Sequence, residues 1–124
     1  QVVILDPSRK IDKQYTAFNK NTIHFTDELS NSNPEKNIQK ILSKLYSLNI
    51  QSVLVEGGAK TLTGFIDSGS FDEIHAYFAP KLIGEGISIY NSKKKIADSL
   101  NLDIVKHETF DNDIKITYYN KKAK

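Results

Sequence analysis

The stretch Val53-Leu54-Val55-Glu56-Gly57-Gly58-Ala59-Lys60-Thr61-Leu62 decides how the rest of the chain is read. An apolar strand ends, the chain turns through paired glycines, and a helix begins. Glycine lets the backbone come close to a ligand, and the free N–H groups of a first helical turn can hold a phosphate or pyrophosphate. Glu56 then stands at the carboxyl end of a strand, where open α/β sheets place their ligands. Taken alone, the pattern is as often a bare turn. It is not the dinucleotide fingerprint of glycines spaced over about six residues, and it is not a Walker loop, which needs Lys and Ser/Thr after its last glycine.

Upstream of this stretch, Val2 to Leu5 reads as a buried strand ended by the turn-prone Asp6-Pro7-Ser8, and Thr22 to Phe25 as a short strand. The polar loop Ser30-Asn31-Ser32-Asn33 follows. Asn33 is a helix cap, with Pro34 at the first helical position and Glu35 in the positively polarised first turn. Ile38, Ile41, Leu42, Leu45 and Leu48 recur at helical spacing, which predicts one apolar helix face closed by Asn49. Ser52-Val53-Leu54-Val55 reads as a further strand, and Leu62, Phe65 and Ile66 mark a short helix that stops near Gly69. Strand, helix, strand, helix predicts a right-handed parallel crossover unit.

Downstream, Ile74, Ala76 and Phe78 alternate with His75 and Tyr77 in a strand that Pro80 terminates. After the glycine-rich Gly84-Glu85-Gly86, residues 102–110 and 114–119 read as two strands joined across Asp111-Asn112-Asp113, a hairpin. The expected architecture is α/β, a mixed sheet with helices packed on it, in one domain spanning residues 1–124.

Composition narrows the function classes. The chain has 124 residues, about one domain's worth. There is no cysteine, which excludes disulfides, thiolate nucleophiles and cysteine-ligated metal. No run approaches the ~18 apolar residues of a membrane span, and no signal peptide is visible, so a cytoplasmic location is expected. Seventeen basic residues against fifteen acidic give a net charge of +2, and only Arg9 is arginine. Lys93-Lys94-Lys95 and the tail Lys121, Lys122 and Lys124 read as a solvated face and a terminus rather than a nucleic-acid site. His24, His75 and His107 lie on separate strands without ligand-like spacing, so no metal site is expected. Tyr118 and Tyr119 read as strand formers, one per face. The opening at Gln1, directly into an apolar strand, is expected of a piece of a longer chain.

Three linked motifs carry a resemblance. Val-Leu-Val-Glu-Gly-Gly at 53–58, the helix ending Phe65-Ile66-Asp67-Ser68-Gly69, and Phe71-Asp72-Glu73-Ile74 with Ala79-Pro80-Lys81-Leu82-Ile83-Gly84-Glu85-Gly86 occur in family order. They resemble the C-terminal reductase domain of the bifunctional riboflavin-biosynthesis deaminase/reductase, a domain similar in fold to dihydrofolate reductase. The opening Val3-Ile4-Leu5-Asp6-Pro7-Ser8-Arg9 is similar to that family's strand-Asp-x-x-Arg segment.

The resemblance implies NADPH-dependent reduction of the ribosyl group of 5-amino-6-(5-phosphoribosylamino)uracil to the ribityl form, in a homodimer. It implies that Glu56 is the active-site acid near the sugar and nicotinamide. Gly57, Gly58 and Ala59 fall at the cofactor-phosphate turn, Asp6 at an acidic position bordering the substrate pocket, and Arg9 at a basic one for the substrate phosphate. The family's upstream strand and loop, resembling Leu-Lys-x-Ala-x-Ser-x-Asp-Gly, and its zinc deaminase domain have no counterpart here. Without the resemblance, Asp6 before Pro7 is equally a turn former and Arg9 a surface ion-pair partner. Two other readings stay open: a non-catalytic, self-associating piece of such a domain, and a same-fold reductase acting on another pterin- or pyrimidine-like substrate.

Overall fold

The computed structural model describes residues 1–12, 14, 21–26, 29 and 33–121. The expected polar loop at 30–32 and the tail lysines Lys122 and Lys124 lie outside the described residues. The chain divides into two compact units, Gln1–Val53 and Leu54–Lys124.

In the first unit, β1 (Val2–Leu5) and β2 (Thr22–Phe25) form a parallel pair in the register Val2 to Thr22 through Leu5 to Phe25. The Asp6 N–H extends the ladder by donating to the Phe25 carbonyl at 2.9 Å. Helix α1 (Pro34–Ser47) begins as its sequence demands: Asn33 Oδ1 accepts from the Lys36 N–H at 3.1 Å and Pro34 opens the first turn, where no N–H is needed. It ends in a Schellman motif. Asn49 takes a left-handed φ of 60°, its N–H donates to the Tyr46 carbonyl at 2.9 Å and the Ile50 N–H to the Leu45 carbonyl at 3.1 Å. Ile38, Ile41 and Leu45 are buried along the predicted face, as are Phe25 and Leu29 in the same unit.

The second unit opens on helix α2 (Ala59–Asp67) with Gly58 as N-cap. The same C-terminal motif closes it: Gly69 at φ 68°, its N–H on the Ile66 carbonyl at 3.1 Å and the Ser70 N–H on the Phe65 carbonyl at 3.1 Å. Strands β3 (Glu73–Phe78), β4 (Leu102–Phe110) and β5 (Asp113–Asn120) make an antiparallel sheet in the order β3-β5-β4. The hairpin turn is tighter than the expected three residues. Phe110 pairs with Asp113, and Asp111 turns the chain at φ 52°, a conformation that aspartate tolerates. An irregularity between Ile104 and Lys106 sets Val105 apart from the ladder. Asn120, buried at the end of β5, donates from Nδ2 to the Phe71 carbonyl at 3.0 Å, tying the α2–β3 connection to the sheet.

One expected strand is absent. Residues 52–55 join neither sheet, and the parallel crossover expected to end on them is not formed; the parallel pair among the described residues is β1–β2. Strand propensity alone cannot hold an extended run, because its N–H and C=O groups need a neighbouring chain. Among the described residues no strand pairs with this run, and Leu54 is 82% exposed.

Candidate active site

Asp6 and Arg9 share one turn in the first unit. The Arg9 N–H donates to the Asp6 carbonyl at 3.1 Å, and Arg9, exposed at the surface, adopts a left-handed φ of 50°. The Asp6 side chain is buried and engaged by its own loop. Oδ1 accepts from the Lys10 N–H and Oδ2 from the Ile11 N–H, both at 3.0 Å. His24 Nε2 stands 3.7 Å from Oδ2. The Ile11 hydrogen bond, with those from Lys10 and the nearby imidazole, holds the Asp6 carboxyl below its ordinary value against the opposing effect of burial. Asp6 is therefore a carboxylate that shapes the loop presenting Arg9.

Glu56, Gly57, Gly58 and Ala59 belong to the second unit. Glu56 is exposed, directly before the glycines. A Cβ on Gly57 would come within 3.3 Å of Thr61 Cβ, so the chain passes close to the helix there. Gly58 is extended, at φ −77° and ψ 174°, and no side chain caps the helix it starts. Nothing lies within 4 Å of a Cβ built on Gly58. The first-turn N–H groups of α2 thus border an open space, which fits a phosphate group and the positive end of the helix dipole.

Two polar clusters escaped the sequence reading. At the end of α2, Asp67 gathers the hydroxyls of Tyr90 and Ser92 and the ammonium of Lys94. Burial pushes its carboxyl up, but these donors outweigh burial and hold it below the ordinary range. Lys94, expected as part of a solvated run, is a structural partner. On one face of the β3-β5-β4 sheet, Glu73, His75, Lys106, Glu108, Lys115 and Tyr119 border an open depression of about 390 Å³. Its polar groups answer one another: His75 Nε2 is 3.0 Å from Glu73 Oε2, Lys106 Nζ 2.7 Å from Glu108 and Lys115 Nζ 3.5 Å from Glu108. The Tyr119 hydroxyl bonds the Glu73 carboxylate, which lowers the acid and raises the phenol. Among the described residues no group of side chains could hold a metal ion, and no helix is long and apolar enough to cross a membrane.

A family model described as the RibD C-terminal domain matches residues 1–116. The chain belongs to this family. The riboflavin biosynthesis protein RibD of Aquifex aeolicus (strain VF5) is 41% identical over 83 residues, which make up 66% of this chain and 23% of that protein. That of Bacillus amyloliquefaciens is 53% identical over 47 residues, 38% of this chain and 13% of that protein. The chain thus spans about a quarter or less of the length of these curated relatives.

Among solved structures, the diaminohydroxyphosphoribosylaminopyrimidine deaminase/5-amino-6-(5-phosphoribosylamino)uracil reductase of Thermotoga maritima matches with a TM-score of 0.77 at 26% identity. The match covers 95% of this chain and 37% of that one. RibD of Acinetobacter baumannii has the same fold, with a TM-score of 0.73 at 24% identity over 94% of this chain and 36% of that one. The RibD C-terminal domain fold is the dihydrofolate-reductase-like one, a mixed parallel and antiparallel sheet with flanking helices, and the C-terminal hairpin is in place.

Proposed function

We propose that this chain, a single partial domain over residues 1–124, carries the cofactor side of an NADPH-dependent reductase. Its reaction converts the ribosyl group of 5-amino-6-(5-phosphoribosylamino)uracil to ribityl. The observation that carries the reading is the uncapped start of α2, with open space at Gly58, in a chain that matches the RibD C-terminal domain over residues 1–116. When bound, NADPH supplies the hydride that adds to the sugar C1 of a ring-opened imine, a proton adds to the nitrogen, and NADP⁺ remains.

The chain's own residues bind and orient. The N–H groups of Gly58, Ala59 and Lys60 would hold a cofactor phosphate, where Gly57 brings the backbone close. Glu56 would accept a sugar hydroxyl and favour the positive charge of the imine. Arg9, presented by the Asp6 turn, would meet the substrate phosphate as a bidentate donor. Holding the two carbons in register is the larger part of catalysis in such a transfer.

Titration of the protein with NADPH, read by nicotinamide fluorescence beside Gly58→Asp, tests the site. Saturable binding that the substitution abolishes supports the reading; wild-type protein that binds no NADPH overturns it. Turnover of the phosphoribosylaminouracil against other pyrimidine or pterin substrates then tests the substrate assignment.

A second reading rests on exposed apolar side chains. Leu54, Leu82, Ile83, Ile87 and Ile89 are between 71% and 106% exposed. A soluble chain rarely leaves so many large aliphatic groups in water, so we propose self-association as a homodimer. A sedimentation-equilibrium mass of one chain at micromolar concentration would sink it.

A further inference from the structure

Helix α2 ends on a carboxylate, in the turn where helix carbonyls disfavour negative charge. Asp67 survives there because one short segment answers it. The Tyr90 hydroxyl donates to Oδ1 at 2.7 Å, and the Ser92 hydroxyl lies 3.0 Å from Oδ1 and 2.8 Å from Oδ2. Lys94 Nζ sits 3.4 Å from Oδ1 and donates to the Asp67 carbonyl at 3.2 Å. One turn nearer the helix start, the Asn91 N–H donates to Thr63 Oγ1 at 2.9 Å.

The order of these contacts fixes a direction. Ser92 and Lys94 meet residue 67, while Asn91 meets residue 63, so from Asn91 onward the segment runs in the same direction as α2. The residues before Asn91 therefore leave toward the helix start, and only about 7.5 Å of helix rise separate Thr63 from Gly58. Those residues form a strap, 81–89, in which Leu82, Ile83, Ile87 and Ile89 are 71–106% exposed. Gly84 and Gly86 within it have nothing within 4 Å of an added Cβ.

We infer that Asp67 is a positioning residue: it latches the 90–94 leg to α2 and so holds the aliphatic strap on the path toward the Gly57–Gly58 turn, where it covers a bound dinucleotide and excludes water. The inference rests on the cofactor reading above. The strap's exposed aliphatic groups suit that occupant, because a hydride transfer gains from a dry enclosure and a flat apolar ring from aliphatic cover.

Amide hydrogen exchange and steady-state kinetics on wild type, Asp67→Asn and Asp67→Ala test it. In Asp67→Ala the amides of 88–94 should exchange about tenfold faster or more, with those of α2 and the β3-β5-β4 sheet unchanged. Protection of residues 82–89 by NADPH, present in the wild type, should vanish. KM for NADPH should rise several-fold, more than kcat falls, and Asp67→Asn should lie between. Unchanged exchange at 88–94 refutes the latch. A loosened leg with undiminished NADPH protection and KM refutes the positioning role. If wild type binds no NADPH, the cofactor reading and the positioning role fall together, while exchange without cofactor still decides the latch. Should Asp67→Ala fail to fold, Lys94→Met and Asp67→Asn give the same comparison.

Discussion

His24 Nε2 and Asp6 Oδ2 stand 3.7 Å apart where the parallel pair β1–β2 ends. The proximity follows from the parallel register: Ile4 lies opposite His24, so Asp6, two residues beyond Ile4 on the same face, is the diagonal neighbour of the imidazole. The imidazole and two backbone N–H groups converge on one buried carboxylate, which is therefore held ionised.

The sign of its pH dependence follows. The native carboxyl of Asp6 binds its proton less readily than the unfolded one, so its contribution is complete above the unfolded value of about 3.9. It is lost as pH falls through the native value. Asp67 acts with the same sign. Thermal unfolding scans should show stability falling below about pH 4. Asp6→Asn, which cannot accept both N–H groups through oxygen, should flatten that fall and lower Tm by several degrees at neutral pH. A variant with the wild-type acid profile would contradict the assignment.

Gly58→Asp separates folding from binding. The residue is already an extended N-cap with open space around it, and aspartate is a favoured cap. Stability should change by only a few tenths of a kcal/mol, ~0.5 at most, in the favourable direction. NADPH affinity should nonetheless fall at least about tenfold, because the carboxylate takes the N–H groups proposed for phosphate. Urea unfolding and fluorescence titration on one preparation check both halves.

Asn49→Ala should destabilise the protein by about 1 kcal/mol, because a Cβ of that kind is strained at the left-handed φ of 60° that the α1 cap requires. Asn49→Gly should not. Chemical unfolding of the pair isolates the backbone from the side chain.

Asn120→Ala should cost about 2 kcal/mol, since the buried side chain's bond to the Phe71 carbonyl is lost and water cannot readily replace it. Hydrogen exchange should quicken around residues 69–72 before the rest of the sheet responds. Uniform loosening of the sheet would argue against so local a tie.

Helices α1 and α2 and the hairpin were legible from the residues alone. Asn33 caps Lys36, Asn49 and Gly69 close their helices over five residues, and Asp111 turns between strands that adjoin it. The Glu-Gly-Gly turn and its neighbours also sufficed to place the chain in its family. Residues 52–55 show the limit. Their composition is that of a strand, yet the hydrogen bonds of a strand belong to whatever pairs with it, and among the described residues no strand does.

The polar clusters were hidden for the same reason. Asp67 meets Tyr90, Ser92 and Lys94 across 23 to 27 residues, Asn120 reaches Phe71 across 49, and Asp6 finds His24 only through strand register. Placed before Pro7, and without the family resemblance, Asp6 reads equally as a turn former or a ligand-site residue; the path of its own loop makes both oxygens acceptors of backbone N–H groups. By itself the sequence determined the elements whose hydrogen bonds close within a turn or two of chain. Only the tertiary structure decided which carboxylates are held, by what, and which apolar run goes without a sheet, because those energies depend on groups that approach from far along the chain.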